Sequence, residues 1–156
     1  MNPQYTTLCQ QIKSLIANET NVTGVLANVS AALREAFPDR FFWVGFYLQQ
    51  AGNMLRLGPF QGSVACYTIP YGKGVCGTAW KEGRTLIVPD VEEFPGHIAC
   101  SSLSRSEIVV PMYSSGNRFC GVLDIDSTSL GDFDEQDQEG LEAIVALLMD
   151  EIGDLL

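Results

Sequence analysis

The chain has 156 residues, 46% apolar and 10% aromatic, which is the length of one domain and enough to bury a single core without staples. Nine basic against nineteen acidic side chains give a net charge of −10, a balance that argues against nucleic acid or an anionic membrane as partner. No apolar run reaches the roughly 18 residues of a spanning helix. The opening segment lacks the basic and apolar regions of a secretory signal, so the expected compartment is the cytoplasm.

Tyr5, Leu8, Ile12, Leu15 and Ile16 recur at helical spacing and predict a first helix. A second follows from the stripe Val22, Val25, Leu26, Val29, Ala32, Leu33 and Ala36, stopped by Pro38. Residues 41–48 read as a buried strand that turns at 51–53 into a strand at 54–57, with further strands at 64–69 and 86–88 and a short helix at 77–82. Residues 107–112 and 119–126 form a hairpin across 114–117. The last helix carries Leu141, Ile144, Val145, Leu148 and Ile152, with Asp134 as its N-cap; the acid-rich stretch 132–142 reads as its solvated start. This order predicts one α+β domain over residues 1–156: an antiparallel sheet with helices from both ends on one face, and the segments from 58 to 106 covering the other.

Strand alternation puts Asp124 and Asp126 on one face and Leu123 and Ile125 on the other. With Leu123 and Ile125 against the helices, the two carboxylates face the loop cover, and Glu107 opens the neighbouring strand. Arg105 and Arg118 are the nearest cations in sequence. Carboxylates clustered without enough cations invite a cationic ligand, or one of them keeps a proton. Trp43 and Tyr47 are four apart on one strand, hence on one face, where aromatic walls would suit a small cation or a sulfoxide, although core packing explains either residue alone.

Five cysteines cannot all pair. Cys9 in a helix and Cys120 in a strand read as packing residues, whereas Cys66, Cys76 and Cys100 fall in Gly-rich segments that suggest reactivity. In a reducing compartment a standing staple is disfavoured, leaving metal or redox chemistry. A zinc set of Cys66, Cys76, His97 and Cys100 lacks the short spacing of zinc knuckles. Three thiols on loops that meet would supply a redox nucleophile and a partner. His97, the only histidine, serves equally as a turn residue or as a neighbour of Cys100.

The segments Gly58-Pro-Phe-Gln-Gly, Gly74-Val-Cys-Gly-Thr-Ala, Pro89-Asp-Val, Gly96-His-Ile-Ala-Cys100, Ser106-Glu-Ile-Val-Val-Pro111 and Gly121-Val-Leu-Asp-Ile-Asp-Ser127 together resemble the free methionine-(R)-sulfoxide reductases, a branch of the GAF-domain fold. One departure is Ser101-Ser102 after the third cysteine, where that family often carries an acidic residue. The resemblance implies a single GAF domain and a thiol-dependent oxidoreductase of free L-methionine-(R)-sulfoxide, with no cofactor and no metal. It implies Cys100 as nucleophile, Cys66 as resolving thiol and Cys76 as an alternative resolver. Glu107, Asp124 and Asp126 would donate a proton and hold the substrate ammonium, and Trp43 and Tyr47 would clasp the sulfoxide end. A thioredoxin-like reductant and a homodimer are implied as well. The rivals are a non-catalytic small-molecule-binding GAF sensor and a zinc-binding structural module.

Overall fold

The computed structural model describes residues 1–156. Helices α1 (Pro3–Ile16) and α2 (Val22–Ala36) precede strands β1 (Trp43–Gln50), β2 (Met54–Gln61) and β3 (Thr68–Pro70). Helix α3 (Gly74–Glu82), strands β4 (Leu86–Val88), β5 (Ser106–Tyr113) and β6 (Phe119–Ser127), and helix α4 (Glu135–Ile152) follow. The six strands form one antiparallel sheet in the order β3-β2-β1-β6-β5-β4.

The first two helices begin where side chains replace missing backbone partners. Asn2 and Asn21 accept from the amides of Gln4 and Gly24. Asp134 caps α4 in a reciprocal box with Asp137. The apolar stripes of α1, α2 and α4 then bury against one face of the sheet, joined there by Val44, Phe46, Ile108, Val110, Leu123 and Ile125. Each such side chain contributes about 1.5–3 kcal/mol when fully withdrawn from water. That layer leaves the opposite face of β1, β5 and β6 for the site.

Several expectations are corrected. Leu15 lies outside the first stripe and is exposed. Strand β2 runs on past residue 57 through Pro59 to Gln61, because its β3 neighbour pairs only with Met54–Arg56 and the proline therefore costs no ladder bond there. A register shift between Gly45 and Tyr47 lets this extension cross over β1; a Cβ on Gly45 would stand 2.3 Å from Phe60 Cβ, so a glycine is required. The strand expected over 64–69 is cut to Thr68–Pro70, with Val64 88% exposed on a loop. Helix α3 begins three residues earlier than its apolar pattern suggests, at Gly74.

The acidic start of α4 is not simply solvated. Asp137 is buried, accepts from Tyr5 Oη at 2.7 Å and pairs with the Arg40 guanidinium at 2.8 Å. Arg40 also bonds Asp132 at 3.0 Å and lies 5.5–5.8 Å from the ring centres of Phe37, Phe41 and Phe133. The guanidinium and the Tyr5 hydroxyl together hold the Asp137 carboxyl below the usual range despite its burial. This network locks α1 and α4 to the turn that leads into β1.

Candidate active site

Two short rows on the free face of the sheet carry the site. Trp43, Asp126 and Glu107 lie directly opposite one another on β1, β6 and β5, and the next row is Gly45, Asp124 and Val109. The alternation read from the sequence therefore holds: Asp124 and Asp126 face the cover, and Glu107 joins them. Glu107 and Asp124 are buried, and no ion pair in the chain reaches any of the three carboxylates. Asp124 Oδ1 and Asp126 Oδ1 are buried without a hydrogen-bond partner. Leaving such atoms unpaired costs on the order of 1–3 kcal/mol each, which marks a place built for a ligand.

Burial is the largest influence on these groups, and mutual repulsion adds to it. Both push Glu107 and Asp126 well above the carboxylate range. Asp124 is raised less, because hydrogen bonding from Glu107 and Cys76 and the proximity of His97 favour its anion. The surroundings favour the neutral forms of Glu107 and Asp126 more strongly than that of Asp124, so a proton donor and a readier anion share one pocket.

Above this floor, the cleft is walled by Trp43, Tyr47, Val75, Ile98, His97 and Ser104, and holds a cavity of about 40 Å³. The Trp43 and Tyr47 rings stack at 5.8 Å, and both residues are buried. They have a second task that spacing could not reveal. Trp43 Nε1 donates to the Ser63 carbonyl and Tyr47 Oη to the Cys66 carbonyl, each at 3.0 Å, so the aromatic pair anchors the loop that carries Cys66.

Cys66 and Cys100 are joined as a disulfide across a sequence separation of 34 residues, with their Cα atoms 5.4 Å apart. Both residues are partly exposed, and Cys100 lines the cleft. The zinc set considered from sequence is thereby broken up, since two of its thiols are bonded to each other. Cys76 is a correction: it lies in the first turn of α3, not in a loop, and is 3% exposed. Burial first, then the adjoining carboxylates, push its thiol well above the ordinary value, the reverse of what activates a nucleophile. Cys9 and Cys120 are free thiols packed against the helical core, as read from sequence. His97 donates its backbone N–H to Phe94 while its residue lines the cleft. Ser104 is a site residue that sequence reasoning missed; its Oγ is buried and unpartnered, and nothing in the segment Ser101–Arg105 singles it out.

A helical layer behind an antiparallel sheet, with a looped cleft in front, defines a GAF domain, and the GAF domain family matches residues 19–152. GAF domain-containing protein A of Dictyostelium discoideum is 59% identical over 93% of this chain and 90% of its own length. The free methionine-R-sulfoxide reductase of Escherichia coli is 47% identical over 92% of this chain and 86% of its own. The free methionine-R-sulfoxide reductase of Neisseria meningitidis, solved in complex with its substrate, superposes with a TM-score of 0.92 at 49% identity, covering 98% of this chain and 92% of that one. The chain belongs to the GAF-domain family, in the branch of the free methionine-R-sulfoxide reductases.

Proposed function

We propose that this protein reduces free L-methionine-(R)-sulfoxide to L-methionine, with Cys100 as nucleophile and Cys66 as resolving thiol. The observation that carries this is the Cys66–Cys100 disulfide, set at a cleft whose floor is three carboxylates with no protein cation. A staple would not need that floor, and a non-catalytic sensor would not need the paired thiols.

In the reduced protein the Cys100 thiolate attacks the sulfoxide sulfur, and Glu107, held protonated by burial, gives its proton to the oxygen. The sulfur–oxygen bond of the substrate breaks and the hydroxyl passes to Cys100, leaving methionine and a sulfenic acid. The Cys66 thiol then attacks the Cys100 sulfur, water leaves, and the disulfide forms. An external dithiol, thioredoxin-like in this reading, restores both thiols by exchange. Asp124 and Asp126 direct their unpartnered oxygens at the substrate ammonium, and Trp43 and Tyr47 flank the sulfoxide end. A peptide-bound sulfoxide has no free ammonium to offer and is excluded. Cys76, set low among the carboxylates, serves as resolver only where Cys66 is missing. A homodimer in the cytoplasm completes the reading, by likeness to the family.

The test is a single-turnover experiment. Reduced Cys66→Ser, given free methionine-(R)-sulfoxide, should form about one methionine per chain and carry on Cys100 either a dimedone-trappable sulfenic acid or, where Cys76 has resolved it, a disulfide to Cys76. An adduct on Cys76 instead, or methionine formation by Cys100→Ser, overturns the assignment.

A further inference from the structure

The disulfide takes up Cys66 and Cys100, and the reaction above leaves Cys76 without a step while Cys66 is present. The Sγ of Cys76 and one carboxylate oxygen from each of Glu107 and Asp124 all lie within 4.8 Å of one another. Cys76 is 3%, Glu107 6% and Asp124 5% exposed, so these donors are held by packing and not by solvent. No lysine or arginine pairs with them, and Arg40, the best-connected guanidinium in the chain, is engaged by Asp132 and Asp137 on the helical side.

One atom of the trio and one atom beside it mark the site as open to a ligand. Asp124 Oδ1 is buried with no partner, and so is Ser104 Oγ, which lies outside the trio on a residue 7% exposed that lines the same cleft. A lone ammonium would satisfy the oxygens but has no use for a thiol beside them. One sulfur with two carboxylates is a donor set for a borderline-soft divalent ion. Magnesium and calcium require about six or more oxygens, whereas zinc accepts sulfur at about 2.3 Å and oxygen at about 2.0–2.2 Å. Those bond lengths place ligand atoms about 3.5 Å apart at tetrahedral angles, so side-chain rotations of about 1 Å would close the trio around an ion.

We propose that Cys76, Glu107 and Asp124 form a zinc-binding site whose fourth position opens to the cleft, so that zinc and a substrate ammonium exclude each other. The ion is an occupant that blocks the pocket, not a participant in the chemistry. Only the competition rests on the reductase reading; the binding itself does not.

The oxidised protein separates this site from the other thiols, since Cys66 and Cys100 cannot ligate while bonded to each other. Calorimetric titration with zinc chloride should give one ion per chain, unaffected by excess magnesium. Cobalt(II) should show the near-ultraviolet charge-transfer band of a thiolate ligand. Cys76→Ser should weaken zinc by more than about tenfold and abolish the band. If Cys76→Ser melts early, Glu107→Gln provides the same comparison with the thiol intact and should likewise weaken zinc. Unchanged zinc affinity in the variant that folds overturns the site, as does binding that appears only after the disulfide is reduced, which would assign the metal to Cys66, His97 and Cys100. Free methionine should raise the apparent zinc dissociation constant. Binding without that competition would leave the metal site standing and refute the ammonium placement.

Discussion

Asp124→Asn keeps the shape of the side chain and removes one of three clustered carboxylates at the centre of the cleft floor. Asp124 lies between Gly45 and Val109, and its Oδ1 has no partner in the free protein. Substitution therefore relieves repulsion in a site where Glu107 and Asp126 are already pushed well above their usual range, and the variant should melt at a higher temperature than the parent. Toward the substrate the sign reverses. A hydrogen bond to a charged group contributes about 1.5–3 kcal/mol net. At about 1.4 kcal/mol per tenfold, its loss lowers kcat/KM by about 10- to 150-fold. The ammonium carries the same charge in ground and transition states, so the loss is uniform and should fall on KM with kcat nearly unchanged. The assay is steady-state kinetics on free methionine-(R)-sulfoxide and on an analogue lacking the α-amino group, with thermal melts in parallel. The analogue should be insensitive to the substitution. An unchanged KM together with an unchanged melting temperature would refute the reasoning, because neither the repulsion nor the ammonium contact would then exist.

Arg40→Ala strips Asp137 of its guanidinium and leaves a buried charge held only by the Tyr5 hydroxyl and the Asp134 amide; urea unfolding should show a loss of about 3 kcal/mol, and a loss below about 0.5 kcal/mol would show the network to be ornamental. Stability should vary with pH in two opposed senses. Asp137 has a lowered pKa, so its contribution is complete above the ordinary value of 3.8 and is lost as pH falls through the depressed one. Glu107 and Asp126 have raised pKa values: above 4.5 and 3.8 the unfolded chain has released protons that the folded protein still holds, so stability declines as pH climbs toward the raised values. Glu107→Gln should flatten that decline on denaturant titrations taken across pH, and an unchanged slope would place the cause elsewhere.

The parts of this molecule that periodicity controls were legible. Residues 123 to 126 alternate between an apolar face that needs the helices and an acidic face that cannot join them, which is enough to aim Asp124 and Asp126 at the cover. The stripes of α1, α2 and α4 gave the helical layer for the same reason. Spacing failed where one residue serves two masters. Trp43 and Tyr47 read as walls, but their Nε1 and Oη also tie down the Cys66 loop, a contact between positions about twenty residues apart that carries no local pattern. Asp137 read as part of a solvated helix start because acidic first turns usually are, and its burial depends on an Arg40 nearly a hundred residues away. Cys76 read as a loop thiol because Gly72-Lys-Gly74 precedes it, whereas those residues are the entry to α3 and the thiol points into the packed face. Ser104 offered no signal, since a serine beside other serines looks the same whether its hydroxyl meets water or is buried at the edge of a cleft.

The most direct test of the central claim is a thioredoxin-coupled assay of NADPH consumption, run with free methionine-(R)-sulfoxide, free methionine-(S)-sulfoxide and a peptide-bound sulfoxide, on the parent and on Cys100→Ser. The account predicts consumption with the free R form alone and none by Cys100→Ser. Turnover by Cys100→Ser, or equal use of the peptide-bound sulfoxide, would contradict it.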